Sequence, residues 1–154
     1  MPLSVRLRYW AAVAAWMVLI SFLSTDAFSA DNTHRYIDPL LRFLFPGIGR
    51  EGIFFAHAVI RKSAHFVEFF VLSLLVFWAM RAGRLRRWRR DWALTALVVS
   101  GLFGLVDEWH QAFGTARTPS LGDSGIDFAG ALAAQAMLFL GRAARRTAGG
   151  RNVR

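Results

Sequence analysis

YWAAVAAWMVLISFLST, residues 9–25, runs for seventeen residues without a charge. A hydrocarbon core about 30 Å thick needs roughly 20 mostly apolar residues in a helix, with about 17 as the lower limit, so this run can cross a bilayer. Further uncharged runs follow at 69–80, 92–106 and 128–141. They are too continuous for a surface helix and lack the alternation of a half-buried strand. Each later run reaches spanning length once polar residues at one end are drawn in: His65 and Glu68 for the second, Asp107 and Glu108 for the third, Asp127 for the fourth. The sequence therefore predicts an all-α membrane protein, a bundle of four transmembrane helices at about 9–25, 63–81, 92–109 and 124–141. Together they make a single domain over 1–141, with residues 142–154 a loose basic cytoplasmic tail.

The composition agrees with this reading. In 154 residues, 55% are hydrophobic and 14% aromatic, enough for a sizeable soluble core if the apolar residues were dispersed. They are gathered into runs instead, which points to lipid. The first run is longer than the usual 7–15-residue core of a signal peptide and lacks a clean small-x-small exit, so a retained helix is expected. Between the first and second spans, residues 26–61 are broken up by Pro39, Pro46, Gly47, Gly49 and Gly52. The apolar stretches 36–45 and 53–60 within it read as one or two short interfacial or re-entrant helices. Small residues four apart, Ser100 with Gly104 and Gly130 with Ala134, would let helix backbones approach closely in lipid.

Orientation follows from arginine. With the amino terminus inside, the cytoplasmic pieces carry thirteen arginines against one acid, Asp91, and the outer pieces carry six bases against nine acids. Short cytoplasmic loops hold the excess of Lys and Arg, so both termini are expected in the cytoplasm and the chain in the cytoplasmic (inner) membrane. A net charge of +9 raises the question of nucleic acid. The basic cluster from Arg84 to Arg90 lies between two spans, however, where it sets topology and meets anionic headgroups, and no nucleic-acid partner is expected. Cysteine is absent, which removes disulfides, thiolate nucleophiles and thiolate metal ligands.

The polar residues at the span ends form a pattern. Lys62, His65 and Glu68 lie within an arc of about 120° on one helix face. Asp107 and Glu108 share neighbouring positions with Gln111, and two adjacent carboxylates repel unless a cation, a proton or hydrogen-bond donors offset them. Asp123 and Asp127 are four apart at the start of the fourth span, after a loop that carries Arg117. The topology drawn from arginine alone puts all nine at one membrane surface. An outward-opening polar pocket among spans two, three and four is the economical explanation, because ionisable groups at membrane depth are costly and usually functional.

The segments K62-S-A-H65-F-V-E68, D107-E108-W-H-Q111-A-F and R117 followed by D123-S-G-I-D127-F-A-G130 resemble the three signature segments of the VanZ-like family. S21-F-L-S24-T25 also resembles the serine-rich end of that family's first helix. The resemblance implies a small multi-pass bacterial envelope protein of a family named for a member associated with low-level resistance to the glycopeptide teicoplanin. Gly114-Thr115-Ala116-Arg117 departs from the family's usual Pro-Gly-Arg.

Three functions remain open on the sequence. The first is binding or modifying an envelope molecule such as an anionic lipid headgroup, lipid-linked cell-wall precursor or lipopeptide, with Lys62 and Arg117 holding an anionic group. The second is a membrane-embedded enzyme acting on a lipid-linked substrate, with His65, Glu68, Asp107 or Glu108 as general base and no cofactor called for. A variant of it would hold a hard divalent cation on Glu68, Asp107, Glu108 and Asp127, since oxygen ligands suit such ions. The third is a structural protein whose polar network locks helices together.

Overall fold

The computed structural model describes residues 3–25, 30–82, 84, 88–111 and 121–151. These form five helices, α1 (Leu3–Leu23), α2 (Ala30–Leu44), α3 (Arg50–Arg81), α4 (Arg90–Gln111) and α5 (Leu121–Arg151). Four of them, all but α2, are long and apolar enough to cross a membrane. Apolar side chains such as Val18, Phe22, Val98, Leu102, Leu132 and Leu140 stay exposed along them, as expected where the surrounding solvent is lipid.

Two boundaries differ most from the sequence expectation. α3 begins at Arg50 rather than near residue 63, so the stretch 53–60 is its first turns and α2 is the one short helix of the connection. No breaker lies between Gly52 and Arg81. Once Pro46 and Gly47 have turned the chain, nothing interrupts the i→i−4 ladder. Its 32 residues span about 48 Å, more than the roughly 30 Å of hydrocarbon. The other difference is the basic tail, which continues α5 as far as Arg151. Alanine and arginine, which dominate 142–148, are both strong helix formers.

α3 is the hub of the bundle. Phe69, Leu72, Val76 and Phe77 from it form the core with Val13 and Ile20 of α1 and Trp92 and Ala96 of α4. Against α5 the approach is closer still. A Cβ at Gly130 would fall on the carbonyl oxygen of Phe66, well inside van der Waals contact, so only glycine fits there. Ala131 and Ala134 are fully buried on the same contact. Cross-helix pairs run in the same order on both helices, 62 with 123, 65 with 127 and 73 with 135, so α3 and α5 lie parallel. α2 is tied to the start of α3 by His57 Nε2 and Asp38 Oδ1 at 2.7 Å.

Candidate functional site

Helix direction brings the last turn of α1, the middle of α3, the last turns of α4 and the first turns of α5 to one end of the bundle. At its rim, Lys62 Nζ donates to Asp123 Oδ1 at 3.0 Å and Arg61 Nη2 donates to Asp123 Oδ2. The two cations are half exposed while Asp123 is buried, so a single carboxylate anchors two positive groups at the surface. One turn deeper, His65 Nδ1 lies 3.0 Å from Asp127 Oδ1, with Asp127 only 1% exposed. The depth follows from Gly130 and Ala131, which let α5 lie close enough for short side chains to meet.

Behind this pair stands α4. Asp107 Oδ2 accepts from Ser24 Oγ, one residue past α1, at 2.8 Å and from Gln111 Nε2, one turn further along its own helix, at 2.9 Å. Gly104 faces Asp127, where a Cβ would come 3.3 Å from Oδ2. Glu108 is buried and Glu68 half buried, and the backbone carbonyl of Glu68 accepts from Trp16 Nε1 of α1 at 2.9 Å. Among the described residues no hydrogen-bond donor reaches Asp107 Oδ1, Gln111 Oε1 or Asp127 Oδ2, all of them buried. Buried acceptors ordinarily find a donor, so three together mark an arrangement suited to a donor from elsewhere.

Of the nine residues singled out in the sequence, Lys62, His65, Glu68, Asp107, Glu108, Gln111, Asp123 and Asp127 fall in this end of the bundle. Arg117 lies outside the described residues. The expected pairing of a cation with an acid is present as Lys62 with Asp123. Among the described residues no group of three or more His, Asp or Glu side chains is placed to hold a metal ion. Glu68 stands on α3, Asp107 and Glu108 on α4 and Asp127 on α5. A concavity of about 630 Å³ lies elsewhere, with apolar walls that include Leu41, Leu44, Ile48 and Phe55 between α2 and α3.

Sequence reasoning missed two partners in the cluster. Arg61 sits 100° around the helix from Lys62 and counts as a loop base until its long side chain is seen to reach Asp123. Ser24 lies in the serine-rich end of the first span, and its hydroxyl was the available signal. A third polar feature was missed deeper in the bundle. Gln135 Nε2 donates to Ser73 Oγ at 2.8 Å, and Ser73 Oγ donates to the Ala131 carbonyl at 3.2 Å, clamping α3 to α5.

The family model for VanZ/LLP1 matches residues 9–142, which include all four apolar spans and the whole polar cluster. The chain belongs to the VanZ/LLP1 family. No curated protein and no solved structure matches it. Within this VanZ/LLP1 chain the three signature segments meet one another: the first supplies Lys62 and His65, the third supplies Asp123 and Asp127 as their partners, and the second closes the back with Asp107 and Gln111.

Proposed function

We propose that the polar end of the bundle binds the headgroup of an amphiphilic envelope molecule, an anionic lipid or a lipid-linked cell-wall precursor. Arg61 and Lys62 attract its anionic group. Asp107, Gln111 and Asp127 accept hydrogen bonds from its hydroxyl or amine groups. The observation that carries this reading is the set of three buried acceptor oxygens with no donor among the described residues, beneath a rim with two cations on one carboxylate. Ionisable groups at membrane depth are retained where they do something, and a site lined by acceptors is completed by a ligand rich in donors. The arginine distribution supports an orientation with this end outward and both termini in the cytoplasm. Reporter fusions after Arg90 and Arg151 should then read cytoplasmic, and fusions near Asn32 and Gly122 external. A cytoplasmic reading at Gly122 would remove the outward-facing site.

A second reading, acid–base chemistry on the bound molecule, is favoured by the His65–Asp127 pair. A carboxylate on Nδ1 fixes the tautomer and leaves Nε2 as the nitrogen that exchanges protons with a ligand. Lipid and cell-wall precursor profiles of a deletion strain, set beside an Asp127→Asn strain, test both. Accumulation of an unmodified lipid-linked species in each supports modification, and changed susceptibility to envelope-targeting antibiotics with unchanged profiles supports binding alone. Asp127→Asn keeps size and much of the hydrogen bonding to His65, so the protein should stay folded while function falls. A destabilised protein with normal function per folded molecule would favour a locking network instead.

A further inference from the structure

The opposite end of the bundle holds charge that the polar cluster does not use. There Arg84 and Arg89, on the chain between α3 and α4, place their guanidinium carbons 5.4 and 5.5 Å from the centre of the Trp92 ring. Arg142, just after the uncharged run of α5, stands 5.2 Å from the centre of Trp88. Both rings are fixed. Trp92 is 1% exposed and packs edge-on against Phe77 at 5.9 Å, and Trp88 packs edge-on against Phe139 at 5.3 Å. Arg84 and Arg89 thus share the Trp92 ring and Arg142 rests on Trp88, four residues before Trp92 in the chain, and stacking on fixed rings lowers the rotamer entropy these side chains would lose on meeting an anion.

A guanidinium has five N–H donors. Arg84 spends Nη1 on the Met80 carbonyl and Arg89 spends Nε on Asp91 Oδ1 at 2.8 Å. Asp91 is the lone acid between Glu68 and Asp107, so it cannot neutralise Arg81, Arg84, Arg89, Arg90 and Arg142 together. Arginine's planar fork matches the oxygens of a phosphate better than an ammonium does. Beside the arginines, Trp78, Leu94 and Leu140 are exposed apolar side chains within about one turn of Arg81, Arg90 and Arg142. Charge at the end of apolar spans whose neighbouring turns carry exposed apolar side chains suits a molecule that has both a phosphate and acyl chains.

We propose that Arg84, Arg89 and Arg142 form a binding site for the phosphate of an anionic phospholipid in the leaflet bordering this end of the bundle. The site is separate from the polar cluster, and either can fail without the other. Retention of phosphatidylglycerol, phosphatidylcholine and inorganic phosphate by the purified full chain, followed by native mass spectrometry in detergent, tests it. Phosphatidylglycerol should be retained over phosphatidylcholine, and Arg84→Gln/Arg89→Gln/Arg142→Gln should weaken that retention by about tenfold or more, as the loss of charge-assisted hydrogen bonds requires. Arg6→Gln/Arg8→Gln, which removes charge from the same end without touching the site, should leave it unchanged. The corresponding triple lysine variant keeps the charge and the fold while losing the planar fork and the stacking, and it should still bind several-fold more weakly than the parent. Equal loss in the Arg6/Arg8 variant would reduce the effect to diffuse charge. Parent-like retention by either triple variant, equal retention of phosphatidylcholine, or inorganic phosphate bound as well as the lipid would each overturn the proposal.

Discussion

At the Asp127 end of the bundle His65, Asp107, Asp123 and Asp127 come from α3, α4 and α5 and are buried, each held by a partner on another helix or another turn. At the Arg89 end the arginines come from the chain between α3 and α4 and from the tail of α5, stay near the surface and rest on tryptophan rings. Both ends lie at the ends of apolar spans, so position along the helices alone does not account for the contrast. A charge at the boundary costs little, because its long side chain can reach water. A short carboxylate such as Asp127, one turn further in, must be held by hydrogen bonds or change its protonation. The buried end is therefore the one whose residues are individually constrained, and the arginine end is the one whose total charge matters most.

The strongest way to break this contrast is at Gly130. Gly130→Ala puts a methyl group on the Phe66 carbonyl, and backbone cannot swing aside as a side chain would, so α3 and α5 must separate. A loss of about 3 kcal/mol or more of thermal stability in detergent is expected, at or above the upper end of ordinary overpacking. Gly104→Ala is the internal comparison. Its Cβ would meet only the Asp127 and Phe69 side chains, at 3.3 Å, and those can shift by a few tenths of an ångström. Equal tolerance at the two positions would mean that α3 and α5 are not in backbone contact.

A smaller effect should come from the buried pair. His65→Ala or Asp127→Ala alone leaves a buried polar partner unsatisfied, at about 1–3 kcal/mol each. The double variant should cost less than the sum of the two, with a coupling of about 0.5–3 kcal/mol in a thermal-unfolding cycle. Strict additivity would separate the two residues and weaken the acid–base reading.

The smallest effects belong to the surface pairs, and they sharpen the contrast between ends. Asp123→Asn removes a buried carboxylate from two half-exposed cations and should cost about 1 kcal/mol, decreasing with added salt. Asp91→Asn at the arginine end breaks an exposed pair and should leave the unfolding temperature unchanged. A larger loss at Asp91 than at Asp123 would reverse the ranking of the two ends.

Run length, arginine position and polar residues at the span ends together made four spans, their charge asymmetry and eight of the cluster residues legible in the sequence. Those features are local. A stretch such as 9–25 has the same affinity for hydrocarbon whatever it packs against, and Asp127 is costly at membrane depth in any fold. The full length of α3 and the helical tail of α5 escaped because a hydropathy pattern ends where apolar residues end, while a helix continues until its hydrogen-bond ladder is interrupted. Which acid takes which base belongs to the tertiary structure alone. Asp123 takes both Arg61 and Lys62, Asp127 takes His65, and Asp107 takes Ser24 from more than eighty residues away in the chain. Those pairings depend on the rotation and axial register of whole helices. Gly130 and its alanine neighbours help fix the α3–α5 contact by allowing close approach, and no single segment encodes the outcome.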